Sequence, residues 1–319
     1  MYSRIAGTGS YLPERVVTNQ ELEATVDTTD EWIRTRTGIE QRHIAADDET
    51  TSDLAYHASL AAMDAAGVGP HEIDMIVVGT CTPDLVFPNV ACLLQERLGI
   101  GGGPAFSVEA ACSGFMYAFS VADQFIRTGT IQRALVVGAE TMSRIVDWTD
   151  RETCVLFGDG AGAVVIEVSE EPGTIYSNLG ADGKYKNMLY AEMGISNKST
   201  VPGASFIRMN GNDVFKMAVR TLERMVDQVI EENDIKQGDI DWFVPHQANL
   251  RIINATAKRL KIPMERVVLT VAQHGNTSAA SVPMALDTAV QDGRIKRGDL
   301  LLLEAFGGGF TWGASLIRY

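Results

Sequence analysis

The chain repeats itself. IDMIVV begins at Ile73 and IDWFVP at Ile240, an offset of 167. ADQFIRTGTIQRALVVGAE and LDTAVQDGRIKRGDLLLLEAF also align, Ala134 with Leu300 at an offset of 166, and between these pairs Cys112 falls against Asn276 at an offset of 164. A duplicated unit of domain size constrains the fold strongly, because both copies must build one supersecondary pattern. Each copy reads as a helix (DLAYHASLAAMDAAG; DVFKMAVRTLERMVDQVIEEN), a short apolar strand, a further helix and a second continuous apolar strand. Such uninterrupted runs suit strands covered on both faces.

The copies meet near the turn-rich SEEPGT, residues 169–174. The expected fold is α/β, with two pseudo-symmetric halves at 1–172 and 173–319 and helices layered on central sheets. With 45% hydrophobic residues in 319, the chain has material for a large core.

Several function classes are excluded early. A formal charge of −14 opposes broad nucleic-acid binding, which needs a surplus of Lys and Arg. No apolar run approaches the ~18 residues of a membrane span, and MYSRIAGTGSYLPERVVTN has no apolar stretch followed by a cleavage site, so a cytoplasmic location is expected. Cys81, Cys92, Cys112 and Cys154 match no CxxC spacing and are expected as reduced thiols, and five scattered histidines suggest no metal site. FGDGAGA, residues 157–163, leads into the strand VVIEV and does not open a helix, so no nicotinamide cofactor is expected.

AACSGF, residues 110–115, carries the first chemical signal. Cys112 lies where the strand-like PAFSVEA ends and the helix-like SGFMYAFSVADQFIRTG begins, so helix dipole and free amides favour its thiolate. The other three cysteines read as small packed side chains. HQANLR, residues 246–251, directly follows its strand, and ligands of α/β folds commonly sit beyond strand carboxyl ends. His246 should therefore join Cys112 and Asn276 at one site. Papain-like proteases use Cys, His and Asn in that chain order, but their CGSCW-type segment is missing and they leave the duplication unexplained.

AACSGF, VPHQANLRI, QHGNTSAASVP and EAFGGGFTWG together resemble the motifs of the thiolase superfamily, and within it the β-ketoacyl-acyl carrier protein synthase III family. The resemblance runs from GTGSYLPERVVTN to the last strand. No cysteine follows Cys154, so the second, proton-abstracting cysteine of degradative thiolases is missing, and Asn276 in HGNTS departs from the Cys-His-His pattern of elongating synthases.

The resemblance implies a layered αβαβα fold and an initiating step of fatty acid synthesis. Cys112 would take acetyl or another short acyl group from coenzyme A. Malonyl-acyl carrier protein would then lose carbon dioxide, and its enolate would attack the thioester to give acetoacetyl-acyl carrier protein. His246 and Asn276 would donate hydrogen bonds to the enolate, and the backbone amides of Cys112 and Gly308 would form a second oxyanion site. His274 is expected to support Asn276.

Trp32 and Arg36, at i and i+4, share a helix face. By resemblance Trp32 and Arg151 sandwich adenine, Arg36 lies near phosphate, and Gly211, Asn212 and Asn249 line a pantetheine tunnel. Phe87 would close the acyl pocket across a homodimer interface. No cofactor or metal is implied beyond the coenzyme A thioester itself. An acidic carrier protein needs a local basic face on so acidic a chain. Arg251 and Lys258, seven residues apart on QANLRIINATAKRLKI, would supply it, with Arg259 and Lys216. A cysteine hydrolase and a condensing enzyme with another primer remain as alternatives, since primers differ by methylenes worth about 0.8 kcal/mol each.

Overall fold

The computed structural model describes residues 1–192, 194 and 206–319. Its first half runs β1 (Tyr2–Tyr11), α1 (Thr51–Ala66), β2 (Met75–Gly79), α2 (Val90–Leu98), β3 (Ala105–Val108), α3 (Gly114–Arg127), β4 (Arg133–Thr141) and β5 (Asp159–Ser169). The second runs β6 (Thr174–Ala181), α4 (Gly211–Asn233), β7 (Trp242–Pro245), α5 (Leu250–Leu260), α6 (Ser281–Gln291), β8 (Leu300–Gly307) and β9 (Thr311–Arg318). A short antiparallel ribbon, Arg15–Thr18 against Gln41–Ile44, and the helix Asp30–Thr37 are inserted after β1.

One sheet has the order β1-β5-β4-β2-β3 and the other β6-β9-β8-β7, so the same order recurs. Only the central contacts β4–β2 and β8–β7, and the outer β2–β3 contact, are parallel within these sheets. In place of a fifth strand the second sheet has a single parallel bridge, Phe243 to Val267.

The registers correct the sequence alignment. Met75 stands opposite Ala134 and Trp242 opposite Leu301, so the counterpart of Ala134 is Leu301, not Leu300. The same offset of 167 that joins Ile73 to Ile240 then holds through the central strands. It also holds at two sharp turns, which we call elbows: Ala111 (φ 44°) and Ser278 (φ 48°) each open a one-turn helix that leads into α3 or α6. Cys112 is therefore matched by Ala279, and Asn276 stands three residues before that position.

Burial explains why the strands read as continuous apolar runs. Met75 and Val77 of β2 face a core shared with Phe115, Phe119, Leu286, Leu301 and Leu303. Ile76 and Val78 face the other way, onto Leu54, Ala58, Ala62 and Leu94 of α1 and α2. On the second sheet, Phe243, Leu302 and Leu316 meet Leu222, Met225, Ile253 and Ala257 of α4 and α5. The result is five layers, α1/α2, sheet, α3/α6, sheet, α4/α5, with the central helices contacting strands of both sheets.

Three glycines let backbone meet backbone at the centre. A Cβ on Gly79 would lie 2.4 Å from the Gly114 carbonyl carbon, one on Gly138 2.2 Å from the Ala279 oxygen, and one on Gly307 2.6 Å from the Cys112 nitrogen. Gly138 belongs to the first half and touches the second half's elbow; Gly307 does the reverse. Because the overlapping atoms are backbone, neither contact can relax by a rotamer change. Gly138→Ala should therefore cost about 3 kcal/mol or more, or prevent folding, whereas Gly183→Ala, with nothing within 4 Å, should leave the thermal unfolding midpoint unchanged. Equal midpoints for the two variants would contradict this packing.

Candidate active site

Cys112 is carried by the first elbow. Ala111 occupies the left-handed region, a costly conformation for a residue with a Cβ, and it turns the chain from β3 into α3. The turn is tied to β9: Thr311 Oγ1 donates to the Ala110 carbonyl at 2.8 Å, and Ser113 Oγ donates to the Thr311 carbonyl at 3.1 Å. Cys112 is left at the amino end of α3, buried at 7% exposure.

His246 follows β7 directly, and its N–H donates to the Glu304 carbonyl at 2.7 Å. The next residue fixes this loop. Buried Gln247 donates through Nε2 to the carbonyls of Pro245 (2.8 Å) and Val268 (3.0 Å), while its Oε1 accepts from the amides of Thr270 (2.8 Å) and Val271 (3.1 Å). Asn276 is held by its backbone against residues 156–158, with N–H donating to Leu156 O at 2.9 Å and O accepting from Gly158 N–H at 3.1 Å. Its Oδ1 accepts from the Ser278 N–H at 2.9 Å, which leaves the Nδ2 donors for the cavity. Ser278, rather than the expected His274, thus orients the carboxamide.

Cys112, His246 and Asn276 line one cavity of ≈ 690 Å³. Trp32, Arg36, Arg151, Gly211, Asn212, Asn249 and Arg251 line it too, and because Arg36, Arg151 and Arg251 are exposed while Cys112 is buried, the cavity leads inward from the surface. Its volume falls in the range of small-molecule sites. The sequence reading missed several apolar wall residues, among them Leu156, Phe157, Leu189, Phe215 and Ile252.

At the surface end the guanidinium carbons of Arg36 and Arg151 lie 5.2 and 5.0 Å from the Trp32 ring centroid. A ring held between Trp32 and Arg151 needs two contacts of about 3.5 Å, so Arg151 must move outward to admit one. Arg251 lies over Phe215 at 5.3 Å. Gly307 abuts Cys112, and the adjoining Gly308 sits beside Ala111 and Leu189.

Other expected residues stand off the cavity wall. Phe87 is 84% exposed beside exposed Leu85 and Val86. Lys216, Lys258 and Arg259 are exposed on α4 and α5. Lys216 lies 3.8 Å from Asp213, and Arg259 is engaged by Asp227 of α4 at 2.6 Å, which narrows the expected basic face. All four cysteines are free thiols, as expected.

The charges in the pocket are suppressed. Burial pushes the Cys112 thiol up to about 12; Ser278 and the residue's own amide pull it back, and Glu140 pushes it further. The expected ease of thiolate formation at a helix start is thus outweighed by desolvation in the resting protein. Burial lowers His246 to about 4, and its Nδ1 has no partner among the described residues. Glu304, on the cavity wall with neither carboxyl oxygen bonded among the described residues, is pushed well above the ordinary carboxylate value by burial. Thiol and imidazole are neutral near pH 7, and burial favours the neutral form of the carboxyl.

His246 and His274 are both lowered from 6.5 to about 4. Between those values the unfolded chain binds more protons, so each ring removes stability as pH falls through that window. In a ring-nitrogen NMR titration, His246 should stay neutral from pH 8 down to about 5. A midpoint near the ordinary histidine value would contradict the dry pocket.

Two family descriptions match the chain: "3-Oxoacyl-[acyl-carrier-protein (ACP)] synthase III" over residues 106–183 and its C-terminal counterpart over residues 230–319. A beta-ketoacyl-[acyl-carrier-protein] synthase III of Xanthomonas campestris pv. campestris is 63% identical, covering 100% of this chain and 99% of the relative. That of Thioalkalivibrio sulfidiphilus is 61% identical with the same coverage. The crystal structure of 3-oxoacyl-[acyl-carrier-protein] synthase III from Aquifex aeolicus superposes with a TM-score of 0.94 at 47% identity, covering 99% of this chain and 100% of that one. The layered fold is accordingly thiolase-like, and the chain belongs to the 3-oxoacyl-[acyl-carrier-protein] synthase III family.

Proposed function

We propose that this chain is the condensing acyltransferase that initiates fatty acid synthesis, with Cys112 accepting an acetyl or short acyl group from coenzyme A and passing it to a malonyl-acyl carrier protein. The observation that carries this reading is the pairing of a neutral His246 with an Asn276 whose Oδ1 is already taken, both on the cavity that holds Cys112.

In the first half-reaction the Cys112 sulfur attacks the acyl carbonyl and coenzyme A leaves as its thiolate. The amide of Cys112 faces the developing oxyanion with that of Gly308. In the second, the malonyl group loses carbon dioxide and leaves its bonding electrons on the thioester as an enolate. No strong base is needed, and a neutral imidazole suits the step. His246 Nε2–H and Asn276 Nδ2–H donate to the enolate oxygen, at a site whose low dielectric strengthens both bonds. The enolate carbon then attacks the acyl-cysteine.

Trp32, Arg36 and Arg151 receive the nucleotide end of coenzyme A, and Gly211, Asn212 and Asn249 flank the pantetheine arm. Arg251, Lys258 and Lys216 receive the acidic carrier, with a smaller part for Arg259 because of Asp227. The exposed apolar run Leu85–Phe87 faces a second copy, where Phe87 would close the partner's acyl pocket. The working assembly is then a homodimer, in the cytoplasm, with no cofactor beyond its substrates.

His246→Ala and Asn276→Ala should each slow malonyl decarboxylation roughly 10²–10³-fold and leave acetyl transfer to Cys112 nearly intact. The two half-reactions can be timed separately by rapid quench. Equal losses in both would mean that these residues only position substrates.

A further inference from the structure

Arg42 is a cation shut away from water. It lies on the ribbon strand Gln41–Ile44, fully buried and off the cavity wall. Its Nη1 donates to the Val17 carbonyl (3.2 Å) and to Asn19 Oδ1 (2.9 Å), and its Nη2 donates to the Val155 carbonyl (2.8 Å). Nε has no partner among the described residues, and none of these acceptors is a carboxylate. Burial lowers the guanidinium to about 10, so it is still charged near pH 7. A buried charge without a counter-charge is costly, and an apolar side chain of similar volume would pack there more cheaply. What the guanidinium adds is reach, because its two arms bond segments on opposite sides of it.

One of those segments leads to Asn276. Val155 is followed by Leu156, whose carbonyl accepts from the Asn276 N–H at 2.9 Å, and the Gly158 N–H donates to the Asn276 carbonyl at 3.1 Å. Phe157 and Asn276 thereby form an isolated parallel bridge. The Arg42 stem lies against both sides of that bridge: a Cβ on Gly158 would be 2.9 Å from Arg42 Cβ, and one on Gly275 would be 3.2 Å from it. The stem therefore touches the chain next to each member of the bridge, and the head bonds the carbonyl where one of them begins.

The other segment is an anchor. Asn19, itself fully buried, donates through Nδ2 to Asp30 Oδ1 and to the Ile39 carbonyl, both at 2.8 Å, while its Oδ1 takes the Arg42 bond. Asp30 opens the helix that carries Trp32. The Ser278 N–H sets the rotation of the Asn276 carboxamide, whereas Arg42 bears on where the backbone beneath it stands.

We propose that Arg42 is a positioning residue for Asn276, holding the 155–158 segment and the Gly275–Asn276 backbone in place against the Asn19 anchor. This rests on the reading that Asn276 Nδ2 donates to the enolate. A misplacement of about 1 Å can cost about 10²-fold in rate. Cys112 is carried by the first elbow and tied to β9, so the loss of Arg42 should separate the two half-reactions.

Arg42→Met keeps most of the volume and removes the donors. At saturating acetyl-coenzyme A it should acylate Cys112 at nearly the wild-type rate and slow malonyl decarboxylation roughly 10- to 100-fold. In an Asn276→Ala background the same change should cost less than about twofold more, because the group being positioned is gone. Arg42→Lys keeps the stem and the charge, but one ammonium cannot span Val17, Asn19 and Val155 together, so it should show the same split if Arg42→Met is too unstable to assay. A readout free of the chemistry is the Asn276 side-chain amide signal in protein made with isotope-labelled asparagine, identified by its absence in Asn276→Ala. It should shift in both Arg42 variants, while that of Asn233, at the far end of α4, stays in place. Equal losses in the two half-reactions, additive losses in the double variant, wild-type decarboxylation in Arg42→Lys, or an unmoved Asn276 amide would overturn the proposal. Normal decarboxylation by Asn276→Ala, with the amide still shifting in the Arg42 variants, would instead remove the enolate-donor reading and leave the positioning role standing.

Discussion

Each elbow rests on the other half's sheet, and that reciprocal backbone contact sets the geometry of everything else. Gly307 of β8 lies under the Cys112 amide, and Gly138 of β4 lies under the Ala279 carbonyl. Any side chain at either position would push a central helix away from the opposite sheet. Cys112 is therefore placed by one half and supported by the other, while His246 and Asn276 come from the supporting half. The cavity between them exists only when the two halves are together.

That placement also decides the electrostatics. Close packing strips water from Cys112, His246 and Glu304, and desolvation pushes each toward its neutral form. A neutral, dry pocket is a poor host for a resting thiolate and a good one for a charge that appears only during reaction, because preorganised donors then act at low dielectric. His246 and Asn276, which we propose as such donors, are each fixed by a backbone contact: His246 N–H donates to Glu304 O, and Asn276 Oδ1 accepts from Ser278 N–H.

Much of this was legible in the sequence. Strands such as MIVVG and LLLLEAF announced themselves because both faces are covered, and Cys112 and His246 stood at the ends of strand-like runs. The failures have physical causes. Equating Cys112 with Asn276 went wrong because a left-handed turn at Ala111 or Ser278, residues with no glycine signature, cannot be seen in the letters, and it is these turns that set the register. The burial of Glu140 and Glu304 carried no signal in the letters, because it depends on walls brought together from distant segments. Arg259 seemed part of a basic face because Asp227, on another helix, becomes its neighbour only after folding. A helix start argued for an easy Cys112 thiolate, but local dipoles say nothing about desolvation by two sheets.

The central claim is that one cavity performs both half-reactions on one sulfur. Labelled acetyl-coenzyme A followed by malonyl-acyl carrier protein, with peptide mass spectrometry between the additions, addresses it directly. Label should appear on Cys112 alone, then leave it in step with carbon dioxide release and emerge in acetoacetyl-acyl carrier protein. Label on Cys81, Cys92 or Cys154, or its loss as free acetate with no carbon-carbon bond formed, would contradict the account.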